Sequence, residues 1–348
     1  MKKPFKLTFT FVILILLQPN LFGQDVEWWR AEYPQYEENP SAKTLSLISV
    51  KGNKFISAED DTVVFEGIAI SDPDKLEKEG LWSKKHFEKV KEMGAMIVRI
   101  PVHPVAWHER TPGKYLKLLD EAVQWCTELK MYVIIDWHSI GNLQAELFQH
   151  EMYNTTKDDT YRFWNTIAFH FNGNNTVAFY ELFNEPTNYN GNLGTMYWKD
   201  WKEIIENIIS IIRSFDKETI PLVAGFDWAY DLNPVRYNPV NAEGIGYVTH
   251  PYKFKRTEPL EPKWEENFAF AAEKYPVFAT EFGIYLEDGE EINEDDYANR
   301  IVKFLRERGI SWCGWVFDPE WHPQMLKSWD TYELTKAGEF FKEKLHEK

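Results

Sequence analysis

The chain has 348 residues and a formal net charge of −16, from 55 acidic and 39 basic side chains. A surface this acidic repels nucleic acid and anionic lipid but is indifferent to a neutral polymer, so neither nucleic acid nor a membrane is an expected partner of the mature chain. Two cysteines, Cys126 and Cys313, are too few for a disulfide framework and read as separate buried thiols, one in a helical pattern and one in a strand pattern.

Residues 1–23 have the form of a secretory signal. Lys2, Lys3 and Lys6 precede an apolar run from Leu7 to Leu17 that is too short to span a bilayer comfortably. Cleavage near Gly23 removes three lysines and no acid, taking the charge from −16 to −19 and giving a secreted or periplasmic chain. Residues 24–43 then form a leader, or a strap across the base of the fold. Residues 44–348 are expected to make one domain, because no Gly/Ser/Pro-rich linker and no internal repeat divides them.

From there strand and helix patterns alternate. Lys54–Ser57 and Thr62–Ile70 flank a turn at Glu59-Asp60-Asp61, which suggests a short N-terminal β-hairpin leading into a first strand. A helix over Trp82–Met93 stops at Gly94, and a strand over Met96–Pro101 follows. Next come a helix at Tyr115–Leu129, a strand at Met131–His138, a helix at Asp158–Phe171 and a strand at Val177–Asn184. Trp198–Phe215 carries Ile204, Ile205, Ile208, Ile211 and Ile212 at helical spacing. Strands at Ile220–Phe226, Ile245–His250, Val277–Glu281 and Ser311–Phe317 alternate with helices at Pro262–Lys274 and Glu294–Arg308, and a helix at Thr335–His346 closes the chain. Between Phe226 and Ile245 the segment Tyr230–Pro239 reads as loop. Eight parallel strands with helices between them predict an α/β fold of the (β/α)8 TIM-barrel class. The acidic run from Glu287 to Asp296 reads as a solvated helix start rather than a metal site.

Parallel barrel strands bring their C-terminal ends to one face, and polar residues gather there. Leu182-Phe183-Asn184-Glu185-Pro186 and Phe278-Ala279-Thr280-Glu281-Phe282-Gly283 each set a glutamate where an apolar run gives way to Pro or Gly. Two carboxylates on two strand ends are the apparatus of glycoside hydrolysis. Arg99 lies on strand two, His138 on strand three, His250 and Tyr252 at strand six and Trp315 on strand eight. With 15 Trp, 17 Tyr and 24 Phe, several of them beside strand ends, the chain also has surfaces on which sugar rings stack.

In sequence order, Val-Arg-Ile-Pro-Val around Arg99, Ile-Ile-Asp-Trp-His ending at His138, Asn-Glu-Pro at 184–186, His-x-Tyr at 250–252, Thr-Glu-Phe-Gly at 280–283 and Trp315 resemble glycoside hydrolase family 5 over residues 45–345. The resemblance implies a retaining mechanism with Glu185 as acid/base and Glu281 as nucleophile. It also implies that Arg99 and Tyr252 keep Glu281 ionised, and that Asn184 bonds the sugar 2-hydroxyl. His138 and His250 would orient substrate and acid, and Trp315 would stack on the sugar before the cleaved bond. Glu185 is expected to need a raised pKa, from partial burial and its charged partner. The implied partner is a polysaccharide or oligosaccharide, bound by a monomer without cofactor or metal.

Other readings stay open at this level. His103 is either a substrate contact or a loop residue, and Asp136 either orients His138 or is a buried, paired acid. Trp107, Trp137, Trp228, Trp321 and Tyr285 are each a subsite platform or ordinary packing. A metal-dependent hydrolase finds no His-Glu-x-x-His, and the pairs Asp136/His138 and His103/His108 lack a third ligand. A catalytically silent glycan-binding barrel would be expected to have lost Glu185, Glu281 or Tyr252, and all three are present. Endo-β-1,4-glucanase (cellulase) action is the expected activity, with β-mannan or glucomannan as the alternative substrate. The segment Phe317-Asp318-Pro319-Glu320-Trp321 departs from simpler strand-eight ends.

Overall fold

The computed structural model describes residues 44–188, 193–286 and 290–347. The expected signal and leader, residues 1–43, and part of the acidic run after Glu287 lie outside the described residues. Eight parallel strands close into a barrel: β1 Glu66–Ile70, β2 Ile97–Val102, β3 Tyr132–Trp137, β4 Val177–Glu181, β5 Ile220–Ala224, β6 Gly246–Val248, β7 Val277–Phe282 and β8 Ser311–Phe317, with β8 paired back to β1. The (β/α)8 expectation holds. β2, β4, β5, β7 and β8 are buried at every residue, as strands covered on both faces must be, and this is why they read as apolar runs.

Helices α1 Lys84–Glu92, α2 Pro112–Leu129, α3 Lys157–Phe171, α4 Trp198–Arg213, α5 Glu261–Asn267, α6 Tyr297–Glu307 and α7 Lys336–His346 surround the barrel. α1 stops before Gly94, whose φ of +95° suits glycine and whose Cβ would lie 3.1 Å from Leu345 of α7. On α4 the buried stripe is Ile204, Ile205, Ile208, Ile209 and Ile212; Ile211 is only half-buried, a one-position shift of the expected face. The helix expected over Pro262–Lys274 ends with α5 and continues as a 3₁₀ turn at Ala269–Glu273. Between β5 and β6 run only a short turn, Phe226–Ala229, and a 3₁₀ turn, Asn233–Arg236, in keeping with the loop reading. Cys126 in α2 and Cys313 in β8 are both free and buried. Among the described residues no helix is long and apolar enough to cross a membrane.

The expected hairpin has a third strand: Ser49–Lys51, Lys54–Ile56 and Thr62–Val63 form an antiparallel sheet. Phe55 projects from it into the base of the barrel, with ring centroids 4.9 Å from Phe179 and 6.2 Å from both Phe65 and Phe278. Ile97, Ile134, Phe179, Leu222, Phe278 and Cys313 complete that apolar layer. Side chains two positions further along the same strands form the layer above it, where Arg99, Asp136, Glu181 and Thr280 are polar and Ala224 and Trp315 are not.

Outside the barrel, under the segment that follows β8, His86 of α1 is wholly buried against Phe317, Trp329 and Tyr332. Burial lowers its pKa from 6.5 to about 4. Within that window the unfolded chain binds the proton that the folded chain refuses, so stability is full above pH 6.5 and is lost as pH falls toward 4. The loss should reach roughly 3 kcal/mol, and urea unfolding at neutral and acidic pH should show His86→Gln losing that much less than wild type.

Candidate active site

Arg99 sits at the centre of the polar layer, fully buried. Ile97 faces inward at the base of β2, and strand alternation turns Arg99 inward one layer higher. Its guanidinium donates through Nε to Glu181 Oε2 at 2.8 Å and through Nη1 to Glu281 Oε2 at 2.8 Å. Nη2 reaches Glu181 Oε1 at 2.9 Å and Asn184 Oδ1 at 2.6 Å, and lies 3.0 Å from Asp136 Oδ2. Burial opposes the charge, but Asp136, Glu181 and Glu281 hold Arg99 well above its ordinary pKa.

Two departures from regular strand geometry aim the glutamates. In β7 the pairing register shifts between Ala279 and Phe282, so Thr280 and Glu281, adjacent in sequence, both reach the interior. After Glu181, β4 stops instead of running on to Asn184. Leu182 and Phe183 both join the outer core, which brings Asn184 and Glu185 together into the barrel mouth. Glu185 and Pro186 then pair with Ile140 and Gly141 beyond β3.

Glu281 accepts from Arg99 on one oxygen and from the Tyr252 hydroxyl on the other, at 2.8 Å each. Burial raises its pKa and the charge of Glu185 adds to this, against the pull of His250, Arg99 and Tyr252; the net shift is upward. Glu185 Oε1 lies 3.0 Å from His250 Nδ1. One atom each of Glu185, His250 and Glu281 fall within 4.8 Å of one another. That spacing alone would admit a metal ion. However, both His250 nitrogens have hydrogen-bond partners and a guanidinium already neutralises Glu281, so the arrangement fits proton and nucleophile chemistry better than a dication.

The remaining expected residues divide. Trp315 and His138 stack at 5.3 Å and 7° and line a cleft of about 840 Å³ together with Glu185, Tyr252 and Glu281. His138 does not reach the acid; its Nδ1 is 2.6 Å from Asp136 Oδ2, so of the two histidines only His250 bonds to Glu185. Asp136 fits both of its readings, as a buried acid beside Arg99 and the partner of His138. Burial pushes its pKa well up and, with His103 nearby, pushes that of His138 well down. His103 is also both things: its ring and backbone N–H bond to Asp72 Oδ2 at 2.9 and 2.7 Å, and it lines the cleft.

Trp228, Trp321 and Tyr285 line the cleft, whereas Trp107 and Trp137 are buried in the outer core against Phe163. The departure after β8 has a structural cause. Buried Asp318 accepts from Ser71, from Lys75 at 2.9 Å and from the backbone N–H groups of Glu320 and Trp321, and so folds the segment that carries Trp321. Gly283 is needed because a Cβ there would meet Pro323 of that segment at 2.2 Å.

Glu181 and Thr280 were missed by sequence reasoning. Glu181 had a signal, an acid at an inward position of an apolar strand. Gln149, Phe254 and Lys255 also line the cleft and had none.

A family model for cellulase (glycosyl hydrolase family 5) matches residues 57–320. The chain belongs to glycoside hydrolase family 5. Among solved members it is similar to a β-glucanase from Saccharophagus degradans, at 43% identity and a TM-score of 0.86 over 91% of this chain and 98% of that one. The same β-glucanase is also known in complex with cellotetraose. Among characterised relatives, an endoglucanase from Clostridium saccharobutylicum is 29% identical over 67% of this chain and 50% of its own length. Endoglucanase A from Butyrivibrio fibrisolvens is 26% identical over 78% of this chain and 60% of its own. This family 5 chain thus spans only half to three-fifths of those two relatives.

Replacing Arg99 by Met should leave Glu181 and Asp136 buried without a counter-charge. Denaturant unfolding of the Arg99→Met protein should show a loss of about 3–5 kcal/mol.

Proposed function

We propose that the protein is an exported, retaining endo-β-1,4-glucanase acting as a monomer, with Glu281 as nucleophile and Glu185 as acid/base. The observation that carries this is the proximity of the two carboxylates, one oxygen of each within 4.8 Å. A retaining pair stands about 5–5.5 Å apart, whereas an inverting pair opens to about 6.5–9.5 Å to admit water between carboxylate and sugar.

In the first step Glu281 attacks the anomeric carbon as the glycosidic C–O bond breaks, and the Glu185 proton goes to the departing oxygen. In the second, water attacks that carbon, Glu185 takes its proton and Glu281 is released. As the carboxylate re-forms, Arg99 balances its negative charge by donating to one oxygen, and the Tyr252 hydroxyl donates to the other. Because Arg99 donates to Asn184 Oδ1, the Asn184 amide must present Nδ2 as a donor, and Nδ2 has no partner among the described residues. That is the hydrogen bond a sugar 2-hydroxyl would take. Trp315 and Trp321, stacked at 5.9 Å, and Phe254 and Tyr285 give aromatic surface on the cleft wall.

A glucan substrate is supported by the names of the relatives and by the cellotetraose complex of the Saccharophagus degradans enzyme. Export rests on the Lys2/Lys3/Lys6 and Leu7–Leu17 pattern.

The test is release of reducing sugar from carboxymethylcellulose, mixed-linkage β-glucan, xyloglucan and β-mannan, with Glu281→Gln alongside. Glucan hydrolysis that vanishes in Glu281→Gln is expected; activity on mannan alone would move the substrate assignment, and equal inertness of both proteins would overturn the enzyme reading. Tyr252→Phe removes a bond that favours ionised Glu281, so the carboxyl titrates higher. The acidic limb of its kcat/KM profile should therefore move to higher pH than in wild type.

A further inference from the structure

Behind Glu185 runs a buried chain of polar groups, His250, Thr280 and Glu181. Glu181 accepts from two nitrogens of Arg99, and although burial opposes its charge, that pairing brings its pKa down to about 2. The Thr280 hydroxyl is 3.0 Å from Glu181 Oε1 and 3.0 Å from His250 Nε2. A hydroxyl has one proton, and an ionised carboxylate can only accept. Thr280 therefore donates to Glu181, which leaves its lone pairs to face His250, so Nε2 must carry the hydrogen. The other ring nitrogen, Nδ1, faces Glu185 Oε1 at 3.0 Å.

Taking the proposed glycosidase reading as its basis, we infer that Thr280, oriented by Glu181, is a positioning residue that fixes His250 as the Nε2–H tautomer, so that Nδ1 accepts a hydrogen bond from Glu185 and the catalytic proton rests on the carboxyl. A hydrogen bond to the protonated form of an acid favours that form, and one donated to the carboxylate favours ionisation. Removing the hydroxyl reverses the arrangement by either of two routes. A neutral His250 can move its hydrogen to Nδ1, or Nε2–H can turn to Glu181, 3.4 Å away, and stabilise the doubly protonated ring. Both routes point an N–H at Glu185 and draw the proton off the acid.

Other titratable groups face the pair. Burial opposes a second proton on His250, while Glu281 from β7, Glu181 and Glu185 raise its pKa against that. The Thr280 lone pair keeps Nε2–H turned away from Glu181, the carboxylate that would favour the cation most directly. Asp136 and His138 face the pair from β3, and Arg99 lies behind Glu281. Tyr153, Tyr252, Lys255 and Tyr285 face it from the loops. All of these stay in place when only residue 280 is changed.

The test compares wild type, Thr280→Val and Thr280→Ser on cellopentaose, whose leaving group needs the acid, and on 2,4-dinitrophenyl β-cellobioside, whose leaving group does not. For Thr280→Val, kcat/KM on cellopentaose should fall about 100-fold while the activated substrate is spared. The basic limb of its pH profile should move down by about one unit. Thr280→Ser should restore both. An equal loss on the two substrates with an unmoved basic limb, or no rescue by serine, would reduce Thr280 to a packing residue.

Nitrogen NMR of the histidine rings, with His250 assigned from its missing signals in His250→Gln, reads the tautomer without turnover. An unprotonated Nδ1 in wild type that gains a proton in Thr280→Val supports the inference, and a protonated Nδ1 in wild type overturns it. Wild type inert on both substrates would sink the glycosidase reading instead, and the spectrum would still decide the tautomer.

Discussion

The guanidinium of Arg99 is the interaction on which the barrel mouth depends. Asp136, Glu181 and Glu281 arrive there on three different strands, and each is buried. Without a cation among them, mutual repulsion and desolvation would neutralise the acids or keep the strands apart. A lysine could not do the same work. The planar fork gives Glu181 two hydrogen bonds, Asn184 one and Glu281 one, in directions that a point charge does not dictate. One side chain thus sets the ionisation of Glu181 and helps to set that of Glu281, and it also fixes the orientation of Asn184.

Most of the fold and the outline of the site were legible because they follow from periodicity. Eight apolar runs ending at turn residues gave the strands, and a charged or polar residue at such an end marked Arg99, His138, Glu185, His250 and Glu281. The parts that were not legible are the places where periodicity fails. Strict alternation would turn Glu281 outward if Thr280 points inward, and only the register shift in β7 lets both face the interior. The consecutive outward placement of Leu182 and Phe183 has the same effect in β4. Glu181 is a lone acid at the end of a buried apolar strand, a pattern that serves a structural ion pair as well as a site, so its role depends on Arg99, 82 residues away in the chain. The cleft residues Gln149, Phe254 and Lys255 sit on loops, where contacts distant in sequence decide which side chain faces the groove.

One such loop is held under visible backbone strain. Asp227, Trp228 and Ala229 all have left-handed φ values, of 57°, 54° and 59°. Single residues visit this region, but runs of them are costly for L-amino acids. Four bonds offset the cost. Lys255 Nζ donates to the carbonyls of Asp227 and Trp228, Arg256 pairs with the Asp227 carboxylate, and the His250 N–H donates to the Ala229 carbonyl. The Trp228 indole N–H reaches across to Gln149 at 2.8 Å. A tryptophan on the cleft wall is therefore fixed by the same segment that supplies His250 and Tyr252, which ties the wall to the partners of Glu185 and Glu281.

Barrel closure joins groups that lie far apart in the chain. Arg99, Asp136 and Glu181 come from β2, β3 and β4, but Glu281, Thr280 and Tyr252 come from the second half of the sequence. The cation and two of its acids thus come from the first half of the barrel, and Glu281 of β7 and the Trp315 ring of β8, 5.9 Å from the guanidinium, enclose them from the second. The charge cluster is complete only in the closed barrel, so Glu281, Glu185 and the groups that hold them share one geometry to which both halves of the chain contribute.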